Sequence, residues 1–97
     1  MQYICVEWIH DFPDEPTLFL AELDDARWEV RRVEIFRDGT MGYASREASY
    51  GSTGLGLAPV PPLSKIAADP VFRPREISKV EFESLWNAAM AKSAGEG

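Results

Sequence analysis

Apolar and polar residues alternate on both sides of an Asp-Gly pair near the middle of the chain. Residues 27–44 read RWEVRRVEIFRDGTMGYA. Asp-Gly between apolar stretches is the strongest short-range hairpin signal, because a type I′ turn needs positive φ at both central residues. With Asp38 and Gly39 as a two-residue loop, side chains alternate between two faces. One predicted face carries Val33, Ile35, Gly42 and Ala44. The other carries Glu34, Phe36, Met41 and Tyr43.

The apolar pattern of the first hairpin strand changes phase at residues 31–32. Trp28 and Val30 lie at even-numbered positions, whereas Val33 and Ile35, after the two arginines, lie at odd-numbered positions. A β-bulge near 31–32 would realign the two halves. A twisted strand covered on opposite faces at its two ends would give the same pattern. A helix over 24–37 is a third alternative, which the density of Val, Ile and Phe disfavours.

Two further strands are predicted before the hairpin, at residues 2–9 and 17–23. The loop between them contains two prolines and two aspartates, which break pairing and favour turns. The simplest arrangement is a four-stranded antiparallel meander. In that meander the 10–16 loop and the 38–39 turn lie at one end of the sheet, and the 24–26 turn lies at the other.

The second half of the chain begins with a connection rich in Gly and Pro, at residues 46–62. Loops of this length are uncommon in compact domains and are usually functional or disordered. Its Tyr, Leu and Val residues indicate packing, although the sequence leaves open whether the loop is ordered. A short helix is predicted at 63–68, because Pro62 can open a helix and Asp69-Pro70 ends it. Residues 71–77 are predicted to form an extended strap.

A C-terminal amphipathic helix is the clearest single element. Ser78 and Glu81 form a capping box, and apolar residues then follow helical spacing. The stripe consists of Phe82, Leu85, Trp86, Ala89 and Met90. We predict that this helix packs on one face of the sheet and that residues 93–97 form a frayed tail. The fold class is therefore α+β, in a single domain over residues 1–97.

The charge of the chain is concentrated in its first part. The formal net charge is -6, and residues 1–38 hold ten acidic residues and four arginines, whereas residues 39–97 hold six of each sign. Such a field repels nucleic acid and favours basic partners. The sequence has no apolar run long enough to span a membrane and no secretory signal pattern. With one cysteine, Cys5, which leaves no internal disulfide, these features predict a cytoplasmic protein.

Candidate catalytic chemistry is sparse. Cys5 and His10 are the only residues of their types, and five positions apart on a strand they point to opposite faces, which argues against a dyad. A metal site would have to use the neighbourhood of His10, but the spacing of its acids matches no established template. Those low-ranking metal candidates are His10, Asp11, Asp14 and Glu15. We predict no catalytic residue and no cofactor.

Two other motifs have structural interpretations. The glycine-rich run at 51–56 lacks the Gly-Lys-Ser/Thr ending of a phosphate loop, so its glycines are expected to serve turns. Arg31 and Arg32 could grip a phosphate, but several glutamates lie on the same predicted sheet. We therefore expect these arginines to form cross-strand ion pairs. The candidate partners are Glu7, Glu22, Glu29 and Glu34.

Three motifs together resemble a small bacterial family of unknown function. They are W-I-H-D at residues 8–11, R-W-E-V-R-R-V-E-I-F at 27–36 and E-I-S-K-V-E-F-E at 76–83. The resemblance covers approximately residues 3–88. It implies bacterial origin and a compact α+β domain, and it implies no activity.

The functional expectation is a non-enzymatic acidic domain that binds a basic protein, in the manner of an immunity protein or inhibitor. No nucleic acid and no membrane is expected as a partner. The candidate binding residues are Asp11, Phe12, Asp14, Glu15, Asp24, Asp25 and Asp38. The alternative is a small enzyme or a metal- or ligand-binding domain that uses His10 with the adjacent acidic loop. A homodimer formed through an uncovered sheet face or edge is the third possibility.

Overall fold

One antiparallel sheet runs through the molecule, with its strands in the order β5-β4-β3-β2-β1-β6. The computed structural model describes residues 1–96, and within them the sheet has six strands accompanied by two helices. The elements are β1 (Gln2–Trp8), β2 (Pro16–Leu23), β3 (Glu29–Phe36), β4 (Met41–Ser45), β5 (Ser49–Tyr50), α1 (Leu63–Ala67), β6 (Phe72–Glu76) and α2 (Lys79–Glu96). No helix in this part of the chain is long and apolar enough to cross a membrane.

The α+β class, the antiparallel sheet and the C-terminal helix are confirmed, but the sheet has six strands and not four. The predicted meander is its centre, β1 to β4. The two additional strands lie at the edges: β5 within the long connection, and β6 within the segment predicted to be a strap. β6 pairs antiparallel with β1, and its Pro74 is tolerated because an edge strand does not need every N–H group.

The predicted register of the central hairpin is wrong by one residue. Val33 pairs with Tyr43, and not with Ala44. The amide of Phe36 donates to the carbonyl of Thr40 at 2.9 Å, and the amide of Gly39 donates to the carbonyl of Phe36, also at 2.9 Å. Gly39 has a φ of 88°, so the loop has three residues and ends in a left-handed glycine, which is the second common hairpin form. One face therefore carries Val33, Ile35, Met41 and Tyr43, and the other carries Glu34, Gly42 and Ala44.

The phase change in β3 coincides with a register shift. Glu22 pairs with Arg31 and Leu23 pairs with Glu29, so Val30 is the extra residue. The shift lies one position before the predicted site at 31–32, and it realigns the two halves of the strand as a bulge would. The alternative of a helix over 24–37 is wrong.

Each face of the sheet is covered by a different layer. α2 covers one face, which we call the helix face, and its buried cluster consists of Tyr3, Cys5, Leu20, Val33, Ile77, Phe82, Trp86 and Ala89. The other, the loop face, is covered by the segment 53–72, and its buried residues are Ile4, Val6, Ala21 and Leu23. On the loop face Val60, Leu63, Ile66 and Phe72 pack as partly buried residues.

The start of α2 follows the predicted cap. The amide of Glu81 donates to Oγ of Ser78 at 3.0 Å. The carboxylate of Glu81 pairs with Arg75, at 2.9 Å, on the neighbouring edge strand. The helix continues through Glu96 into the tail that we expected to be frayed, and Gly97 lies outside the described residues.

Candidate functional site

The seven predicted binding residues lie at two opposite ends of the sheet. Five of them belong to what we call the acidic end, formed by the 9–15 loop and the 37–40 turn: Asp11, Phe12, Asp14, Glu15 and Asp38. The guanidinium of Arg37 joins these two loops, because its Nη2 donates to the carbonyl oxygen of His10 at 2.5 Å. Asp24 and Asp25 lie in the turn between β2 and β3, at the far end, as the predicted meander requires.

The carboxylate of Asp24 stabilises its own turn. Its Oδ1 accepts hydrogen bonds from the amides of Ala26, at 3.0 Å, and Trp28, at 2.9 Å. Its Oδ2 lies 3.9 Å from the guanidinium of Arg46. This pattern is an Asx turn with a nearby cation, so Asp24 does not extend the surface formed at the acidic end.

The acidic end is built on a stack of aromatic rings. His10 lies 4.1 Å from the Trp8 ring and 5.3 Å from the Phe12 ring, measured between ring centroids. Nδ1 of His10 accepts from the amide of Phe12 at 2.9 Å, so Nε2 carries the proton and donates to the carbonyl of Pro16 at 2.8 Å. The Phe12 side chain is nevertheless 58% exposed. A fixed loop thus presents an aromatic ring to solvent.

Both nitrogens of His10 are used by the loop itself, so His10 offers no lone pair to a metal ion and no free proton acceptor to a substrate. Within residues 1–96, no group of three or more His, Cys, Asp and Glu side chains is placed to hold a metal. Cys5 lies in the buried cluster of the helix face, where burial raises the pKa of its thiol. The geometry gives His10 a structural role.

Three carboxylates of the 9–15 loop make no ion pair with the described part of the chain. They are Asp11, Asp14 and Glu15, and all three are exposed. Two cations lie at this end, Arg37 and Lys92, and each donates to a backbone carbonyl of the adjoining loops. Their positive charges offset part of the negative charge, but neither forms an ion pair with these three carboxylates.

Asp38 differs from its neighbours because its carboxylate stabilises the hairpin turn. Its Oδ1 accepts from the amide of Thr40 at 3.0 Å and from the Thr40 hydroxyl at 2.7 Å. The amide hydrogen bond, and then that of the hydroxyl, hold the pKa of Asp38 below its ordinary value. Asp38 thus stays ionised at the acidic end.

Three of the strand glutamates pair with the two arginines, but the predicted cross-strand pairing is confirmed only for Arg31, because Arg32 pairs within its own strand. Arg31 pairs with Glu22 at 2.7 Å and with Glu83 of α2. Arg32 pairs with Glu29 at 2.8 Å and with Glu34 at 3.1 Å. Glu7, the fourth candidate, forms none of these pairs.

A pocket on the loop face was not predicted from the sequence. Its volume is about 340 Å³, and Ile4, Val6, Phe19, Ala21, Ile66 and Phe72 contribute its apolar lining. These residues come from three strands and a short helix that are distant in sequence, so no local pattern connects them. The sequence did contain one sign of it. Ile4 and Val6 lie on the same face of β1, opposite Tyr3 and Cys5, which indicates that both faces of this strand are covered.

The fold and the acidic end define a small α+β domain in which a loop with an exposed aromatic ring carries three carboxylates that form no ion pair with the described residues. The chain belongs to a family described as a domain of unknown function (DUF6881), whose model matches residues 2–91. The resemblance to a family of unknown function is thereby confirmed. No curated protein and no solved structure matches the chain.

Proposed function

We propose that this protein is a non-enzymatic binding domain whose acidic end docks on a basic protein. The observation that carries the proposal is the position of Phe12. Its ring is 58% exposed, yet its loop is fixed by two hydrogen bonds to one histidine. Exposed aromatic rings of this kind are the usual anchors of protein interfaces.

A rigid loop favours affinity because little conformational entropy is lost when it binds. The stack of Trp8, His10 and Phe12 holds the ring in one position before any partner arrives. A depression borders the ring and is lined by Trp8, Phe12, Pro13, Asp14 and Glu15. A second depression at the same end is lined by Asp11, Pro13, Arg37 and Asp38.

The charge of the acidic end sets the kind of partner. Asp11, Asp14 and Glu15 are free to pair with Lys and Arg side chains of another protein, whereas Glu22, Glu29 and Glu34 on the strands already have partners. Complementary charge accelerates encounter and excludes wrong partners more than it adds raw affinity. The form of binding that we propose is therefore inhibitor-like or immunity-like, toward a basic bacterial protein in the same compartment, the cytoplasm.

The test is capture of partners with the purified protein, followed by measurement of the dissociation constant with the purified partner. We expect a basic partner whose binding to the Phe12→Ala variant is weaker by about 30-fold, the scale of an interface hot spot. The triple variant D11N/D14N/E15Q should associate more slowly, and salt should affect its rate less than that of the parent.

The matched control is Asp25→Asn, which removes an exposed carboxylate from the opposite end of the sheet. This variant should bind like the parent protein. A partner that binds Phe12→Ala and the parent equally well would contradict the proposal. An acidic partner would contradict it as well, because the charge argument would then be wrong.

A further inference from the structure

The pocket on the loop face has the size of a small-molecule site. Its volume of about 340 Å³ lies within the range of about 300 to 1,000 Å³ that is typical of ligand sites. Ala21 is buried in the centre of the sheet at this point, and its small side chain leaves the space open. Phe19 and Phe72 add two aromatic rings to the lining. A mainly apolar lining is typical of small-molecule sites.

The layer above the pocket explains why the space is not filled. α1 has five residues, and none of them is buried. It contributes Ile66 to the lining, and the loop before it contributes Val60. Two medium-sized aliphatic side chains cannot fill the volume over an alanine, whereas α2 places large aromatic rings on the other face.

Four charged residues border the pocket, and their charges cancel: Glu29, Arg32, Lys65 and Asp69. Arg32 is bound to Glu29 and to Glu34. The second oxygen of Glu29 accepts from the amide of Gly56 at 2.5 Å. Because Arg32 and Glu29 already have partners, a charged ligand could pair only with the exposed side chains of Lys65 and Asp69, and exposed ion pairs contribute little. The border therefore favours an uncharged ligand.

The wall beside Phe19 suits a flat ring. The guanidinium of Arg32 lies 4.7 Å from the centroid of the Phe19 ring, and Trp8 stacks with that ring at 5.9 Å. Aromatic and guanidinium planes of this kind interact well with a further planar group. Shape and charge thus point to the same class of ligand.

The loop at the mouth of the pocket is attached at both ends. Val60 donates its amide to the carbonyl of Arg27 at 2.8 Å, and Nε of Arg27 donates to the carbonyl of Val60 at 2.7 Å. At the other end, Gly56 is held by Glu29. Between these attachments, Leu57 is 95% exposed. A ligand in the mouth would offer this aliphatic side chain an apolar surface to cover.

We propose that this pocket binds a small, uncharged, mainly apolar molecule that contains a planar ring. The proposal goes beyond the docking surface at the acidic end and does not depend on it. The residues concerned are those of the loop face, with Ala21 as the floor and Ile66 at the side.

The proposal is tested with three probes of one shape and different charge: indole, indole-3-acetate and tryptamine. Each is titrated into the ¹⁵N-labelled protein, and amide chemical shifts are recorded. We expect saturable shifts for indole at the amides of Ala21 and Phe72, with a dissociation constant of about 1 mM or lower. The anionic and the cationic analogues should bind about tenfold more weakly, because the apolar lining desolvates their charge and the exposed Lys65 and Asp69 offer only weak ion pairs.

Two variants locate the binding. Ala21→Leu fills the floor from the sheet, and Ile66→Trp fills the space from α1, which buries no residue and should tolerate the change. Both should lose the indole response. Val80→Trp introduces the same ring at an exposed position of α2, and this variant should keep the indole response. If Ala21→Leu does not fold, the Ile66→Trp variant decides the test with its Val80→Trp control.

Four results would overturn the proposal. The first two are the absence of saturable shifts with indole and an unchanged indole response in Ile66→Trp. The third is tighter binding of either charged analogue than of indole. The fourth is slowed translational diffusion, which would show that a second copy covers this face. Binding of a protein partner to the acidic end should be unaffected by Ile66→Trp, so the two proposals fail separately.

Discussion

The two faces of the sheet are covered by layers of very different density. On the helix face, α2 buries Phe82, Trp86 and Ala89 against the strands. On the loop face, a connection rich in Gly and Pro is followed by the five-residue α1, which buries none of its own residues. A helix with apolar residues at regular spacing presents a continuous stripe, whereas an irregular segment presents isolated side chains. The first layer fills its face, and the second leaves a pocket.

Two adjacent arginines show the same difference in their ion pairs. Arg31 points to the helix face, pairs with Glu83 of α2, and lies about 5 Å from the rings of Phe82 and Trp86. Its neighbour Arg32 points to the loop face and pairs only with carboxylates of its own strand. Those carboxylates in turn accept hydrogen bonds from the loop, at the Gly56 amide and the Thr53 hydroxyl. Arg31 therefore holds the helix directly, whereas Arg32 contacts the loop only through the carboxylates of Glu29 and Glu34.

Removing one ring from each face should give the largest contrast. We expect Phe82→Ala to lower the free energy of unfolding by about 3 to 5 kcal/mol, because its ring is fully buried and leaves a closed cavity. Phe72→Ala on the loop face should cost less than half as much, since its ring is partly exposed beside an existing pocket. Urea denaturation measures both values.

The control for this pair is Val80→Ala, at a position of α2 that is 80% exposed. It should change stability by less than about 0.5 kcal/mol. Equal losses for Phe82→Ala and Phe72→Ala would show that the two layers contribute alike, and the contrast between the faces would be wrong.

At Gly42 the loop layer approaches the sheet closely. A Cβ atom at this position would lie 2.2 Å from Oγ1 of Thr53 and 3.2 Å from the carbonyl oxygen of Tyr50. We expect Gly42→Ala to cost about 1 to 3 kcal/mol, the usual range for overpacking, and to weaken the hydrogen bond from Thr53 to Glu34. Thermal or urea unfolding measures the loss.

Gly54→Ala is the matched control, because nothing lies within 4 Å of its added Cβ. It should leave stability nearly unchanged. If both alanine variants unfold like the parent, the 50–54 segment yields easily, and the contact with Gly42 does not hold the loop layer in place.

The elements that the sequence predicts well are those decided by local chemistry. The cap at Ser78 and the apolar stripe after it are readable because a helix satisfies its own hydrogen bonds. The hairpin register is not readable in the same way, because Gly39 in a left-handed conformation serves a two-residue loop and a three-residue loop equally. β6 was missed for a related reason: Pro74 disfavours a strand locally, and only the free edge of β1 recruits it.

In the candidate site, too, some features follow from local sequence and others depend on tertiary structure. The composition of the 9–15 loop shows where exposed acids lie, so the acidic end could be anticipated. The sequence does not show that Asp24 stabilises its own turn. This role depends on the conformation of residues 24–28 and on a tertiary neighbour, Arg46. The pocket is harder still to predict from the sequence, because its lining residues lie up to 68 positions apart, from Ile4 to Phe72.

The smallest effect that we predict concerns the acid sensitivity of the helix face. Arg31 donates to both oxygens of Glu22, and this holds the pKa of that carboxyl below its ordinary value of 4.5. Because the unfolded chain binds the proton more readily, the stabilisation is present above pH 4.5 and is lost as the pH falls through the folded value. We expect Glu22→Gln to cost about 1 kcal/mol at neutral pH and progressively less in acid.

Unfolding measured from about pH 7 to about pH 3 gives this dependence directly, with Glu47→Gln, at an exposed position, as the control. The parent and the control should lose stability along the same curve, while the Glu22→Gln curve should be flatter and approach theirs at low pH. Parallel curves for all three proteins would mean that Arg31 holds α2 without help from the charge of Glu22. The electrostatic link between the sheet and α2 would then consist of the direct ion pair of Arg31 with Glu83 and that of Arg75 with Glu81.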